Sequence, residues 1–336
     1  MVGTKFGQRP VKNLDSMGLL IICIAVSVGL YAVCITGAAS TNSMRYMIQI
    51  FLYIALGQMW NLLSGFAGMT SLGQQLYIGL AGYVVAIATT IFHFPLAVGV
   101  LLAVGVAIVL SPIISLLMLR LKGMYFSIAT WVVAEAFSMF FYSWEYVNQG
   151  GGMTIILQPY PRLLEICLFS LTICIAAVSA TYILLRSKAG LGIVAMRDDS
   201  TAASSVGVNS FRHRVLTCVI AAGFCALAGC AFFINKGVIY PDSGFNINWT
   251  VSMIFIVTIG GSGTISGPIV GSIIYVLLQE YLAHFPGWSN IILGIITILT
   301  ILFLPRGIMG TVQNKLGFEI FSAKYTLQKP KRNSVT

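Results

Sequence analysis

Ala195-Met-Arg197-Asp198-Asp199-Ser-Thr201-Ala202-Ala203-Ser-Ser-Val206-Gly207 is the centre of a polar interruption, residues 187–214, set between long apolar runs. A chain that only lines a pore has no evident need for such a segment. Its Arg and Lys residues place it on the cytoplasmic side, because basic residues are retained there in short loops. The Ala-rich centre, closed by Gly207, predicts a short helix between two spans, with Asp198 and Asp199 near its start, where the helix dipole favours negative charge. Two readings of this helix stand side by side: a docking element for a partner, or a solvated amphipathic loop helix.

The flanking runs define the class. Of the 336 residues, 58% are hydrophobic and 8% charged, against about 25% charged in a soluble domain. Crossing about 30 Å of hydrocarbon takes roughly 20 apolar residues. Runs of that length recur along nearly the whole chain, which predicts an all-α polytopic membrane protein, one transmembrane domain over residues 1–336. The net charge of +10 does not point to nucleic acid, because the basic residues sit at the ends of apolar runs and in the tails, as positive-inside topology requires. The cysteines at 23, 34, 167, 174, 218, 225 and 230 lie in apolar runs without metal-type pairing.

The expected order starts with a cytoplasmic tail, residues 1–16, carrying Lys5, Arg9 and Lys12. Spans follow at residues 17–36, 46–63, 76–92, 95–119, 124–142, 163–185 and 215–234. The last apolar third is split at Gly260-Gly-Ser-Gly-Thr-Ile-Ser-Gly-Pro268 and at His284-Phe-Pro-Gly-Trp288, which gives three further crossings. About ten spans with both termini cytoplasmic, the second tail covering residues 306–336, satisfy every basic cluster except Arg45, Arg162 and Lys236. The split segments also fit broken or re-entrant helices, whose backbone is tolerated at membrane depth only under protein or a water-filled cavity. Gly65-x-x-Gly68-x-x-Ser71-x-Gly73 and the 260–268 stretch are alike, a hint of an internal repeat.

Candidate path residues are Asn61, Gly65, Gly68, Ser71, Gly261 and Gly263, whose glycines either expose backbone amides or let helices pack closely. Glu135 lies mid-span, where an acid is costly unless paired or wetted; it either receives a substrate ammonium or bonds a neighbouring helix. No catalytic or metal-binding constellation is present. The chain has neither a Gly-x-x-x-x-Gly-Lys-Ser/Thr loop nor a His-Glu-x-x-His motif, so energy must come from another subunit. The basic residues from Lys324 to Arg332 suit anionic membrane lipid.

Within the interruption, residues 201–207 have the spacing of the Glu-Ala-Ala-x-x-x-Gly loop of ABC importer membrane subunits, with Thr201 in place of the Glu. Asn61-Leu-Leu-Ser-Gly65-Phe-Ala-Gly68-Met-Thr-Ser71-Leu-Gly73-Gln, Leu121-Lys-Gly-Met-Tyr125-Phe-Ser-Ile-Ala-Thr130, Ala195-Met-Arg-Asp-Asp199, the 260–268 stretch and Leu304-Pro-Arg-Gly307 follow in this order. Together they resemble the LivM-type permease subunit of branched-chain amino acid ABC importers. The resemblance implies a bacterial inner-membrane subunit that moves branched-chain amino acids or a related small polar solute. It further implies a related second permease, cytoplasmic ATPase subunits that bind ATP and Mg, and a periplasmic or lipid-anchored binding protein. On it, Arg197, Asp198, Asp199, Thr201, Ala202, Ala203 and Gly207 contact the ATPase. The competing class is a stand-alone secondary transporter or a urea/amide-type channel built around Glu135.

Overall fold

The computed structural model describes residues 41–121, 123–282, 288–304 and 307–316. The expected N-terminal tail, the span at residues 17–36, the basic stretch from Lys324 to Arg332, and Lys122, His284 and Arg306 lie outside the described residues.

Helix α1, Thr41–Asn61, continues through one π-helical turn, Leu62–Phe66. Non-helical backbone at residues 67–74 joins it to α2, Gln75–Thr90. Helices α3, Leu96–Met118, and α4, Met124–Ser143, follow. Next come β1, Met153–Thr154, and α5, Leu163–Arg186. The polar interruption folds as α6, Lys188–Asp198, and α7, Ser200–Ser205, before α8, Ser210–Lys236. Strand β2, Val238–Ile239, pairs antiparallel with β1. The remainder is α9, Pro241–Gly244; α10, Asn248–Gly260; α11, Gly267–Leu282; α12, Ser289–Phe303; and α13, Gly307–Leu316.

Among the described residues, six helical stretches are long and apolar enough to cross a membrane, and three shorter apolar helices accompany them. This is an all-α polytopic membrane protein apart from the two-residue strand pair. Helix α1 is the hub, packed against α5, α8, α10 and α11, which is why its second half is buried all round. Helix α4 is the opposite case: it makes little contact with the bundle and turns Met124, Tyr125, Val132 and Met139 outward.

The interruption differs from the single short helix expected to start near Asp198 and Asp199 and to close at Gly207. Asp199 is extended, with φ −155° and ψ 107°, and its carboxylate accepts from the amides of Thr201 and Ala202 at 2.8 and 3.0 Å. An Asp in that role starts a new helix rather than continuing the old one. Asp198 therefore ends α6 and Asp199 caps α7. Ser187 caps α6 and Asn209 caps α8 in the same way, so side-chain acceptors fix all three helix starts of the loop.

Candidate functional site

The break between α1 and α2 takes backbone out of helical pairing inside the bundle, where unpaired amides are costly. Neighbouring side chains take up the slack. Trp60 Nε1 donates to the Ser71 carbonyl at 3.0 Å, Thr130 Oγ1 accepts from the Leu72 amide at 3.1 Å, and the Ser127 hydroxyl donates to the Thr70 carbonyl. Ser71 is buried, and its hydroxyl accepts from Gly73 N and Gln74 Nε2, each at 3.3 Å. An added Cβ at Gly73 would sit 2.4 Å from the Thr130 carbonyl oxygen, so the break is pressed directly onto α4.

One turn earlier, Asn61 is fully buried and joins the break to the α10–α11 turn. Its Nδ2 donates to the Thr264 carbonyl and its Oδ1 accepts from Gly263 N, both at 2.8 Å. Gly65 lies in the same contact: a Cβ there would approach Asn61 Oδ1 to 2.2 Å and Gly263 N to 2.6 Å. Within the turn, Thr264 Oγ1 donates to the Gly261 carbonyl at 2.8 Å and accepts from Gly267 N at 3.1 Å. Gly307, at the start of α13, packs on Gly261.

Arg197 ties the polar loop into this assembly. Its Nη1 donates to the Gly65 carbonyl at 2.7 Å, and its stem lies against Gly68. Nε and Nη2 both donate to Asp198 Oδ1, at 3.2 and 3.0 Å, in the one ion pair among the described residues. A charged donor on a carbonyl is among the stronger hydrogen bonds. The last turn of α6 is thus stapled to the π-turn that ends α1.

Beyond the staple, Ala203 is buried against the bundle while Thr201, Ala202, Ser205 and Val206 are exposed. Gly207 has φ +87° with no atom within 4 Å of a built Cβ; its backbone is what turns the chain out of α7. The Asp199 carboxyl is held below the ordinary value of 3.8 by the amides of Ala202 and Thr201 that it accepts from.

Of the residues singled out from sequence, Asn61, Gly65, Gly68, Ser71, Gly261, Gly263, Arg197 and Asp198 come together on one side of the bundle. Asp199, Thr201, Ala202, Ala203 and Gly207 continue from them along α7. Glu135 does not join them. It is exposed on α4, without a hydrogen bond or ion pair among the described residues. Sequence reasoning did not single out Ser127, Thr130 and Thr264 as site residues; for Ser127 and Thr130, polar residues three apart in an otherwise apolar span were the available signal.

The five ordered motifs therefore meet in one place, and comparison with known proteins agrees. A family model described as the permease component of the branched-chain amino acid transport system matches residues 40–301. LivM of Salmonella typhimurium, a high-affinity branched-chain amino acid transport system permease protein, is 22% identical, over 95% of this chain and 80% of its own. LivM of Escherichia coli is 26% identical over 50% of this chain and 39% of its own. LivH of Salmonella typhimurium is 30% identical over 40% and 44% respectively. No solved structure matches. With more than three quarters of its length matched by the family model, the chain belongs to the family of branched-chain amino acid transport permease components.

Proposed function

We propose that this chain is the membrane-spanning permease subunit of an ATP-binding cassette importer, moving a branched-chain amino acid or a related small polar organic solute across the bacterial inner membrane. The relatives' printed functions support the solute class. ATP and Mg belong to separate ATPase subunits, which dock on α6–α7, and a periplasmic or lipid-anchored binding protein delivers the solute. In this reading residues 1–336 act as one permease domain. The six long and three short apolar helices, with the expected span at residues 17–36, make ten crossings that leave both termini cytoplasmic.

The observation that carries the coupling is the Arg197–Gly65 hydrogen bond. A push on α7 reaches Arg197 through the capped α6–α7 junction, and Arg197 holds the end of α1 where it breaks. Motion of the loop is thereby delivered to non-helical backbone, which rearranges at lower cost than a continuous helix. Conformational coupling needs contacts that differ between two states, and the hinge-like segment at residues 67–74 is placed to supply them.

The outward face of α4 suits a second, related permease, with the solute path between the two chains. Glu135 would then face that path and meet the ammonium of an amino acid. The test is uptake into vesicles holding this chain, its ATPase, a second permease and the binding protein. Uptake that needs ATP and the ATPase supports the importer. Uptake by this chain alone, without ATP, supports a stand-alone transporter instead.

A further inference from the structure

A second feature of the loop is not used by the Arg197 staple. Between α7, the start of α8, the break at residues 68–70 and the α3–α4 turn lies a cleft of about 400 Å³. Arg214 lines it together with Ser200, Ser204, Ser210 and Thr70. Arg214 is half-buried and has no hydrogen bond or ion pair among the described residues; its Nε is fully buried with no acceptor. An unpaired donor of a charged group taken out of water carries a full desolvation penalty. Among the described residues, no acid lines the cleft. The nearby carboxylates are committed elsewhere, Asp198 to Arg197 and Asp199 to the α7 amides.

The cleft therefore holds an unpartnered cationic donor and, among its described lining, no anion. Ser200 makes no side-chain hydrogen bond among the described residues, whereas the Ser204 hydroxyl donates to the Ser200 carbonyl at 2.8 Å and lies 3.3 Å from the Ser210 hydroxyl. A carboxylate seated there would complete the Arg214 guanidinium and accept from the Ser200 hydroxyl. We infer that this cleft takes an Asp or Glu side chain from the ATPase subunit that docks on α7. The inference rests on the proposed docking and deepens it. Residues 200–206 contain no charged side chain, so the charge this edge of the loop presents to a partner in the cleft is the positive one of Arg214. Ion pairing at an interface sets register and rate of encounter as well as affinity, and this one would fix how α7 sits on its partner.

The test begins with capture of the purified ATPase by the detergent-solubilised chain. Wild type that captures none removes the docking reading itself. Where wild type captures it, Arg214→Glu should weaken capture by about tenfold or more, and Arg214→Gln should flatten its dependence on NaCl. Both variants are to be checked for wild-type melting temperature. Arg214→Lys treated with a carbodiimide should form an amide between the new amine and an ATPase carboxylate, located by mass spectrometry. Undiminished capture by a folded Arg214→Glu protein overturns the inference while leaving docking intact. So does a cross-link from position 214 only to this same chain. A wild-type melting temperature raised by sulfate at matched ionic strength, lost in Arg214→Gln with capture unchanged, would mark a free-anion site and overturn it too.

Discussion

Replacing Asn61 by Ala removes the bridge between the broken end of α1 and the α10–α11 turn while leaving both helices their own hydrogen bonds. Two hydrogen bonds are lost, and the Gly263 amide and Thr264 carbonyl are left facing a void. Hydrogen bonds between helices in membranes average about 0.6 kcal/mol each, and buried bonds in proteins generally run to about 1.5 kcal/mol. The expected loss is about 1 to 3 kcal/mol, and at 2 kcal/mol the folded-to-unfolded ratio falls roughly thirtyfold. The assay is unfolding of the purified chain in mild detergent, followed by Trp fluorescence, for wild type, Asn61→Ala and Asn61→Asp. The Asp variant keeps an acceptor for the Gly263 amide but sets an oxygen against the Thr264 carbonyl, so it should be no more stable than Ala. Uptake should fall in both variants, because the turn would be held to α1 by one bond in the Asp variant and by none in the Ala variant. An Asn61→Ala protein as stable and as active as wild type would refute the reasoning, since it would show that the buried bridge neither holds nor transmits anything.

Gly207→Trp should insert into the membrane normally, yet lose uptake and ATPase capture. The side chain strains a φ of +87° and projects from the exposed end of α7; normal uptake by a well-expressed variant removes the docking role. The Asp199 carboxyl, lowered in the folded loop, stabilises α7 at pH values above 3.8, and that contribution is lost as pH falls through its folded value. Hydrogen exchange at Thr201 and Ala202, corrected for intrinsic rates, should therefore be flat from neutral pH to about 5 and quicken only below 3.8. Asn in place of Asp should remove the acid dependence, and protection fading already near pH 6 would contradict this assignment. Glu135→Gln should lower uptake of a zwitterionic solute with ATP hydrolysis unchanged; unaltered uptake places Glu135 off the path.

The long apolar helices were legible because crossing hydrocarbon demands an apolar run of known length, and among the described residues these helices depart from the expected span ends by a few residues. The polar interruption was legible for the same reason, as the stretch that cannot be a span. Its division at Asp199 was not, because Asp198 and Asp199 are alike in sequence and only geometry decides which one caps. The pairing of Arg197 with the Gly65 carbonyl crosses 132 positions and uses a backbone atom, so no side-chain pattern could announce it. The meeting of the Gly65–Gly73 and Gly260–Pro268 stretches through Asn61 was not legible, because it joins one side chain to backbone atoms about 200 positions away. Glu135 shows the opposite limit: composition marks an acid in mid-span, but whether it faces a neighbour or the outside depends on which helices pack there.

The most direct measurement uses Arg197, the residue through which the polar loop reaches the broken helix. In vesicles holding the complete importer, Arg197→Ala should leave the ATPase bound and hydrolysing ATP while uptake falls about tenfold or more, the equivalent of roughly 1.4 kcal/mol of lost coupling. Arg197→Lys keeps the charge but not the fork that grips Gly65 and Asp198 together, and should fall between. Uptake by a folded Arg197→Ala complex that keeps pace with wild type would contradict the coupling role assigned to the staple.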